Sequence, residues 1–161
     1  MNKSYKIIDD KILYLNTEVN CTKVAAGSKN VEFIWKIPSI TIDEFAKLKV
    51  FTCQQGAGTR GSSVLSFRLK NVLFNQSTYY SIENSQFPLI FAGSFNTDTT
   101  FWDTTLSGIS IIPQTLNTIS IVVSDVLTNQ SAGIDNTISF LIGIHIQQYD
   151  LKLSQINNPY N

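Results

Sequence analysis

The residues that could carry out chemistry are few and widely spaced. His145 is the only histidine among the 161 residues, and its neighbours at every second position include no acid. A zinc site needs three or four histidine, cysteine or carboxylate ligands, and one histidine with two distant cysteines, Cys21 and Cys53, gives no such spacing. No Gly-x-Ser-x-Gly element marks a serine nucleophile. The sequence therefore predicts no enzyme, no metal site and no cofactor.

Carboxylates could act in pairs, as in glycoside hydrolysis, but the adjacent acids of this chain would diverge to opposite faces of a strand. The nearest arrangement to a sugar site is Asp98 and Asp103 in one loop with Phe101 and Trp102, because aromatic rings stack on sugars while carboxylates accept hydroxyl hydrogen bonds. A loop with an aromatic anchor is the simpler interpretation. A carbohydrate-binding or receptor-binding fibre-head module, with Trp102 and Asp103 in its site, is the alternative.

Gly56, Gly58 and Gly61 have the spacing Gly-x-Gly-x-x-Gly, which marks some dinucleotide sites when a helix follows. Here residues 63–70 follow, and they alternate as a strand. A phosphate would have no helix N-terminus to bind, so we interpret 54–63 as a loop between strands.

Composition excludes several partners. Twelve Lys and Arg balance twelve Asp and Glu, so nothing attracts the chain to nucleic acid, whose binding depends on phosphate neutralisation. No apolar run approaches the ~20 residues of a membrane helix, and residues 1–10 lack the apolar core of a signal peptide. We expect a cytosolic chain with both cysteines reduced.

The strongest structural pattern covers residues 137–149, in which apolar residues occupy alternate positions. A strand directs alternate side chains to one face, so the pattern predicts a long, half-buried antiparallel strand. Its apolar face consists of Ile138, Phe140, Ile142, Ile144 and Ile146. Residues 117–124 alternate in the same way, and we predict that these two strands pair.

The other elements follow from the same rules. Residues 31–37 predict a strand that ends at Pro38, with Glu32 and Lys36 facing water. Residues 5–15 predict a hairpin or a bent strand, and 16–30 a loop. Residues 40–49 are ambiguous, because Thr41 or Asp43 could cap a short helix, while residues 46–53 could equally form a strand. We expect a helical turn or a loop, then a strand over 47–53.

About eight strands with turn signals between them and little helix predict an all-β fold, a single jelly-roll antiparallel β-sandwich. The immunoglobulin hallmark, a tryptophan against an inter-sheet disulfide, has no counterpart. We expect one domain over 1–161, with a flexible C-terminal tail over 151–161.

Residues 112–125, followed by 137–146, resemble the C-terminal part of jelly-roll virion proteins of large icosahedral double-stranded DNA viruses. This resemblance implies a non-catalytic minor capsid or vertex (penton) protein, assembled in the host cytoplasm and located in the virion. Its partners would be copies of itself, as in a pentamer, or a major capsid protein. Interfaces favour aromatic residues, and the candidate contact residues are therefore Tyr79, Tyr80, Phe101 and Trp102.

Overall fold

Nine β-strands make up 81% of the residues described by the computed structural model, and these residues include no helix. The described ranges are 6–25, 30–56, 64–74, 88–94, 108–125 and 139–150. The strands are β1 (Lys6–Asn16), β2 (Cys21–Ala25), β3 (Asn30–Ile42), β4 (Ala46–Gln55), β5 (Val64–Leu69), β6 (Leu89–Ser94), β7 (Ile109–Ile111), β8 (Gln114–Asp125) and β9 (Phe140–Asp150).

The strands form two antiparallel sheets packed face to face. One sheet has the order β1-β9-β4-β7 and the other the order β2-β3-β8-β5-β6. The predicted all-β antiparallel sandwich is thus confirmed. The structure has one strand more than the eight predicted, because β2 occupies a segment that we interpreted as a loop. That strand lies at the edge of its sheet, and Thr22 and Val24 are exposed while Cys21 and Lys23 are only half-buried, so it lacks the apolar alternation that marks a buried strand.

The order of pairing follows a simple rule when β2 is set aside. The first remaining strand pairs with the last (β1–β9), the second with the second last (β3–β8), and so on through β4–β7 to β5–β6. This is the pairing of one long antiparallel ribbon. Two further pairings, β4–β9 and β5–β8, join the folded ribbon into two sheets.

The core lies between the sheets and is built from the inward faces of their strands. Phe140 of β9 shows how the two sheets meet, because its ring lies edge-on to Phe33 of β3 at 5.9 Å and to Phe67 of β5 at 5.2 Å. Offset and edge-on ring contacts of this kind are the favoured ones. The predicted apolar face of β9 is confirmed from Phe140 to Ile146, and Ile138 lies outside the described residues.

The predicted pairing of residues 117–124 with residues 137–149 is wrong. These segments lie in β8 and β9, which belong to different sheets: β8 pairs with β3 and β5, and β9 pairs with β1 and β4. Both strands have one apolar face, and these faces are buried in the same core from opposite sides. Alternation specifies the buried face of a strand and not its neighbour.

The predicted end of a strand at Pro38 is also wrong. The strand β3 continues to Ile42, and its register against β8 shifts between Lys36 and Ile40. Proline is tolerated at such an irregularity because no ladder hydrogen bond is required there. No helix follows. Residues 40–42 belong to β3 and not to the predicted helical turn or loop, residues 43–45 lie between the strands, and β4 begins at Ala46.

The N-terminal segment is a single strand and not a hairpin. Its register against β9 shifts between Ile7 and Asp9, which confirms the bent-strand alternative. The extra residue of such a bulge bends a strand locally. The predicted C-terminal tail, 151–161, lies outside the described residues.

An aromatic contact on the outer face of the first sheet depends on one glycine. The register of β4 against β9 shifts between Val50 and Thr52, and Phe51 there lies over Gly143 of β9. A Cβ on Gly143 would be 2.6 Å from Phe51 Cζ and 2.5 Å from Thr52 Cγ2. The ring of Phe51 packs edge-on against Tyr14 of β1, with 5.7 Å between the ring centroids.

We expect Gly143→Ala to destabilise the chain by about 1–3 kcal/mol, the usual cost of an extra methyl group in a packed site. The new methyl group would displace Phe51 from Tyr14. Urea unfolding measures the change, and the double variant Gly143→Ala/Phe51→Ala should recover part of the loss. A single variant as stable as the wild type would show that the close approach is unimportant.

Candidate protein-binding surface

Exposed apolar side chains are concentrated on one side of the sandwich. Six of the eight large exposed hydrophobic residues among the described residues lie on β1, on β2 or in the turn between them. We call these six the β1 flank: Ile7, Ile8, Ile12, Tyr14, Val19 and Val24. Clusters of exposed apolar side chains commonly mark sites of protein contact. The flank is therefore the main candidate site of the described structure.

The flank contains two strand edges. In the described part of the chain, β1 ends the order of the first sheet and β2 ends the order of the second. An edge strand presents N–H and C=O groups without a ladder partner, which allows another chain to pair with it. The flank therefore contains one open edge of each sheet.

The N-terminal half of β1 carries features that oppose uncontrolled pairing. The register shift lies between Ile7 and Asp9, and Lys11 Nζ is 3.0 Å from the Asp9 carboxylate. The hydrogen bond from Lys11 lowers the pKa of Asp9, although desolvation acts in the opposite direction. Bulges and charges are common ways of protecting an edge strand. The half of β1 that follows Lys11 has no such protection.

A groove of about 280 Å³ lies beside this second half of β1. The chain turns there because Asn16 accepts two hydrogen bonds. Its side-chain oxygen accepts one from the Glu18 amide at 2.9 Å, and its carbonyl oxygen accepts one from the Val19 amide at 3.1 Å. Trp35 Nε1 also donates to the Asn16 carbonyl, at 2.8 Å. Most of the groove is apolar, and its lining includes Leu13, Tyr14, Val19, Trp35, Ile37 and Pro38.

His145 contacts an acidic residue on another strand, which the pattern of its own strand could not show. Its Nε2 contacts the carboxylate of Asp10 on the neighbouring strand β1, and its side chain is 25% exposed, as expected for a half-exposed strand histidine. The contact bridges β1 and β9 on the outer face of the sheet. Among the described residues, no group of three or more histidine, cysteine or acidic side chains could hold a metal ion.

Neither cysteine is placed for chemistry. Both thiols are free, Cys53 in the core and Cys21 half-buried. Burial raises the pKa of both thiols, and only the thiolate is a strong nucleophile. The chain therefore has no activated cysteine.

The glycine-rich segment is only partly described. The amide of Gly56 donates to the Ser139 carbonyl at 2.8 Å, while Gly58 and Gly61 lie outside the described residues. The element that follows is the strand β5, as predicted. Among the described residues that flank this segment, no helix N-terminus is present for a nucleotide phosphate.

The predicted contact residues cannot be placed. Tyr79, Tyr80, Phe101 and Trp102 all lie outside the described residues, as does Asp103 of the carbohydrate alternative. Both ideas remain predictions. The β1 flank was not singled out from the sequence, because Ile7, Ile8 and Ile12 give the same signal as core residues until the edge position of β1 is known.

A buried polar cluster lies on the outer face of the second sheet. Glu32 of β3 was predicted to face water, but it is only 7% exposed. Its carboxylate is 2.6 Å from Lys70 Nζ and accepts a hydrogen bond from the Ser120 hydroxyl. Burial raises the pKa of Glu32, but the hydrogen bonds from Lys70 and Ser120 and the positive charge of Lys70 together outweigh burial and hold the pKa below its usual value of 4.5.

Comparisons with protein-family models, curated proteins and solved structures find no match to this chain. No helix long and apolar enough to cross a membrane occurs in the part of the chain that the structure describes.

We expect the Glu32 cluster to make stability depend on acid pH. The folded state holds the pKa of Glu32 below 4.5, so its contribution is present above that value and is lost as the pH falls through the folded-state pKa. In urea unfolding across pH 3–7, the loss of stability in Glu32→Gln should be largest near neutrality and shrink in acid.

Glu18→Gln is the matched control, because Glu18 is exposed and its pair with Lys23 belongs to a class that contributes only about 0–1 kcal/mol. An equal loss in Glu32→Gln at every pH would contradict a role for the ionised carboxylate.

Proposed function

We propose that this chain is a single jelly-roll structural subunit of a virion, a minor capsid or vertex (penton) component. It acts by assembling with copies of itself or with a major capsid protein, and it carries out no catalysis. The observation that carries the proposal is the nested order of strand pairing together with the apolar flank beside it.

The pairing order supports the jelly-roll assignment. A jelly roll has eight antiparallel strands in two sheets, and it can be formed by rolling up one long antiparallel ribbon. The four pairings from β1–β9 to β5–β6 are those of such a ribbon. The strand β2 is then an addition at the outer edge of β3, and the other eight strands account for both sheets.

The chemistry of the chain favours assembly over the other roles of this fold. Jelly rolls occur in viral capsids, lectins and cupins, and a cupin holds its metal with several histidines. This chain has one histidine, which contacts Asp10. The exposed apolar side chains of the β1 flank instead suit a contact with another protein.

Low charge also supports assembly. Only 15% of the residues are charged, and their formal charges cancel at neutral pH. Copies of such a chain repel one another weakly. The resemblance to virion proteins supports a capsid as the assembly. The segments that carry this resemblance, 112–125 and 137–146, supply most of β8 and β9.

The solution mass of the purified full-length chain tests the proposal. We expect light scattering over a concentration series to show a defined oligomer whose population rises with concentration, because exposed apolar surface is buried on association. A chain that stays monomeric at the highest attainable concentration would contradict self-assembly.

A further inference from the structure

We infer that β1 is a self-association strand: β1 of one copy pairs antiparallel with β1 of a second copy, about a two-fold axis at Ile12. The inference rests on the proposed assembly role and names both the partner and the contact.

The hydrogen bonds of β1 show which backbone groups point away from its sheet. Thr17 N donates to the Phe140 carbonyl at 3.0 Å, which continues the β1–β9 ladder by one residue. Hydrogen-bonding direction alternates along an antiparallel strand, so odd-numbered residues face β9. The C=O group of Asp10 and the N–H and C=O groups of Ile12 and Tyr14 therefore point to the open side, whereas the Asp10 N–H already donates to the Asp9 carboxylate at 2.9 Å.

Both ends of this open segment are defined. At one end, the Asn16 carbonyl already accepts from Trp35 Nε1 and from the Val19 amide. At the other end, the register shift between Ile7 and Asp9 interrupts the regular strand. The usable edge thus runs over residues 10–14, and its centre is Ile12.

Only one symmetric register uses the whole segment. With the axis at Ile12, this residue lies opposite its own copy, and Asp10 lies opposite Tyr14 of the second copy. The N–H and C=O groups of Ile12 then pair with those of its copy, and the Tyr14 N–H pairs with the Asp10 C=O. An axis at Lys11 or at Asp10 would place two lysines or two aspartates directly opposite each other. It would also place Tyr14 opposite the irregular part of β1 in the second copy. Like charges directly opposite one another are destabilising.

The same register covers exposed apolar surface. Ile12 and Tyr14 are 58% and 63% exposed, and both lie on the outer face of the sheet. Across the axis, Ile12 would pack on Ile12 of the second copy, a pair that directly stabilises an antiparallel ladder. The charge of Asp10 already has a partner in His145.

The groove beside β1 fits this arrangement. The groove of about 280 Å³ is lined by Tyr14 and Asn16 at the end of the open segment, so the strand of the second copy would run alongside it. Its lining also includes the apolar residues Leu13, Val19 and Ile37. Each copy would supply one such groove, as a two-fold contact requires.

The opposite edge of the same sheet is not available in this way. Phe74 forms an antiparallel bridge with Ile111 of β7, and the Ile112 amide donates to the Leu73 carbonyl at 3.3 Å. Within the described residues, the first sheet can therefore be extended more readily at β1.

Ile12→Lys and Leu73→Lys form a matched pair of variants that test this contact by light scattering. Each places a lysine on an exposed apolar position, but only Ile12 lies on the proposed axis. We expect Ile12→Lys to raise the dimer dissociation constant about thirtyfold or more, as for a central contact residue. Leu73→Lys, which changes a 60% exposed residue elsewhere, should leave it within about twofold.

Cysteine cross-linking tests the register without depending on the lysine variants. In a Cys21→Ser background, Ile12→Cys should form a covalent dimer on oxidation, because directly opposed residues have Cα atoms about 5.5 Å apart, within disulfide range. Asp10→Cys should not cross-link, because two such residues would be about 13 Å apart.

The possible failures are distinguishable. An assembling wild type whose mass is insensitive to Ile12→Lys, or a cross-link at residue 10 and not at residue 12, would overturn the β1 contact and leave the proposed assembly intact. A wild type that is monomeric at every concentration would overturn self-assembly and the β1 contact with it, and would leave only assembly with a major capsid protein. Circular dichroism of each variant confirms that it is folded before its mass is interpreted.

Discussion

The burial of one apolar stripe on β9 is the constraint on which the rest of the structure depends. Phe140, Ile142, Ile144 and Ile146 are all fully buried, and each such side chain contributes roughly 1.5–3 kcal/mol. Their burial requires a second sheet on one side of β9 and hydrogen-bonded strands at both of its edges. The second sheet supplies Phe33 and other large side chains to the same core, while β1 and β4 supply the ladders.

The position of the candidate surface follows from this arrangement. Because both edges of β9 pair with other strands, the open edge of the sheet is β1. Only one face of β1 packs against the core. The inward residues of β1 join the core, and the outward ones, such as Ile12 and Tyr14, remain exposed. The strand β1 therefore forms the edge of one sheet and also presents the surface through which we expect copies to associate. Its bulge and its charged residues restrict that surface to a short segment.

The sequence predicts the strands well and their partners poorly. Period-two alternation gave β5, β8 and β9 with their buried faces, because it reflects which side of a strand meets the core. It could not show that β8 and β9 lie in different sheets, since their pairing depends on contacts distant in the chain. The burial of Glu32 and the contact between His145 and Asp10 were missed for the same reason: the partner of each lies on another element. The sequence contains no sign that apolar residues on β1 are exposed, because the edge position of a strand is a property of the assembled sheet.

Hydrogen exchange of backbone amides, measured on the full-length chain at low and high concentration, tests the central claim most directly. The amides of Leu13 and Leu15 bond to β9 and should be protected at both concentrations, whereas those of Ile12 and Tyr14 should be protected only at high concentration, when a second copy pairs with them. The account would be contradicted if the Ile12 and Tyr14 amides exchanged at the same rate at both concentrations.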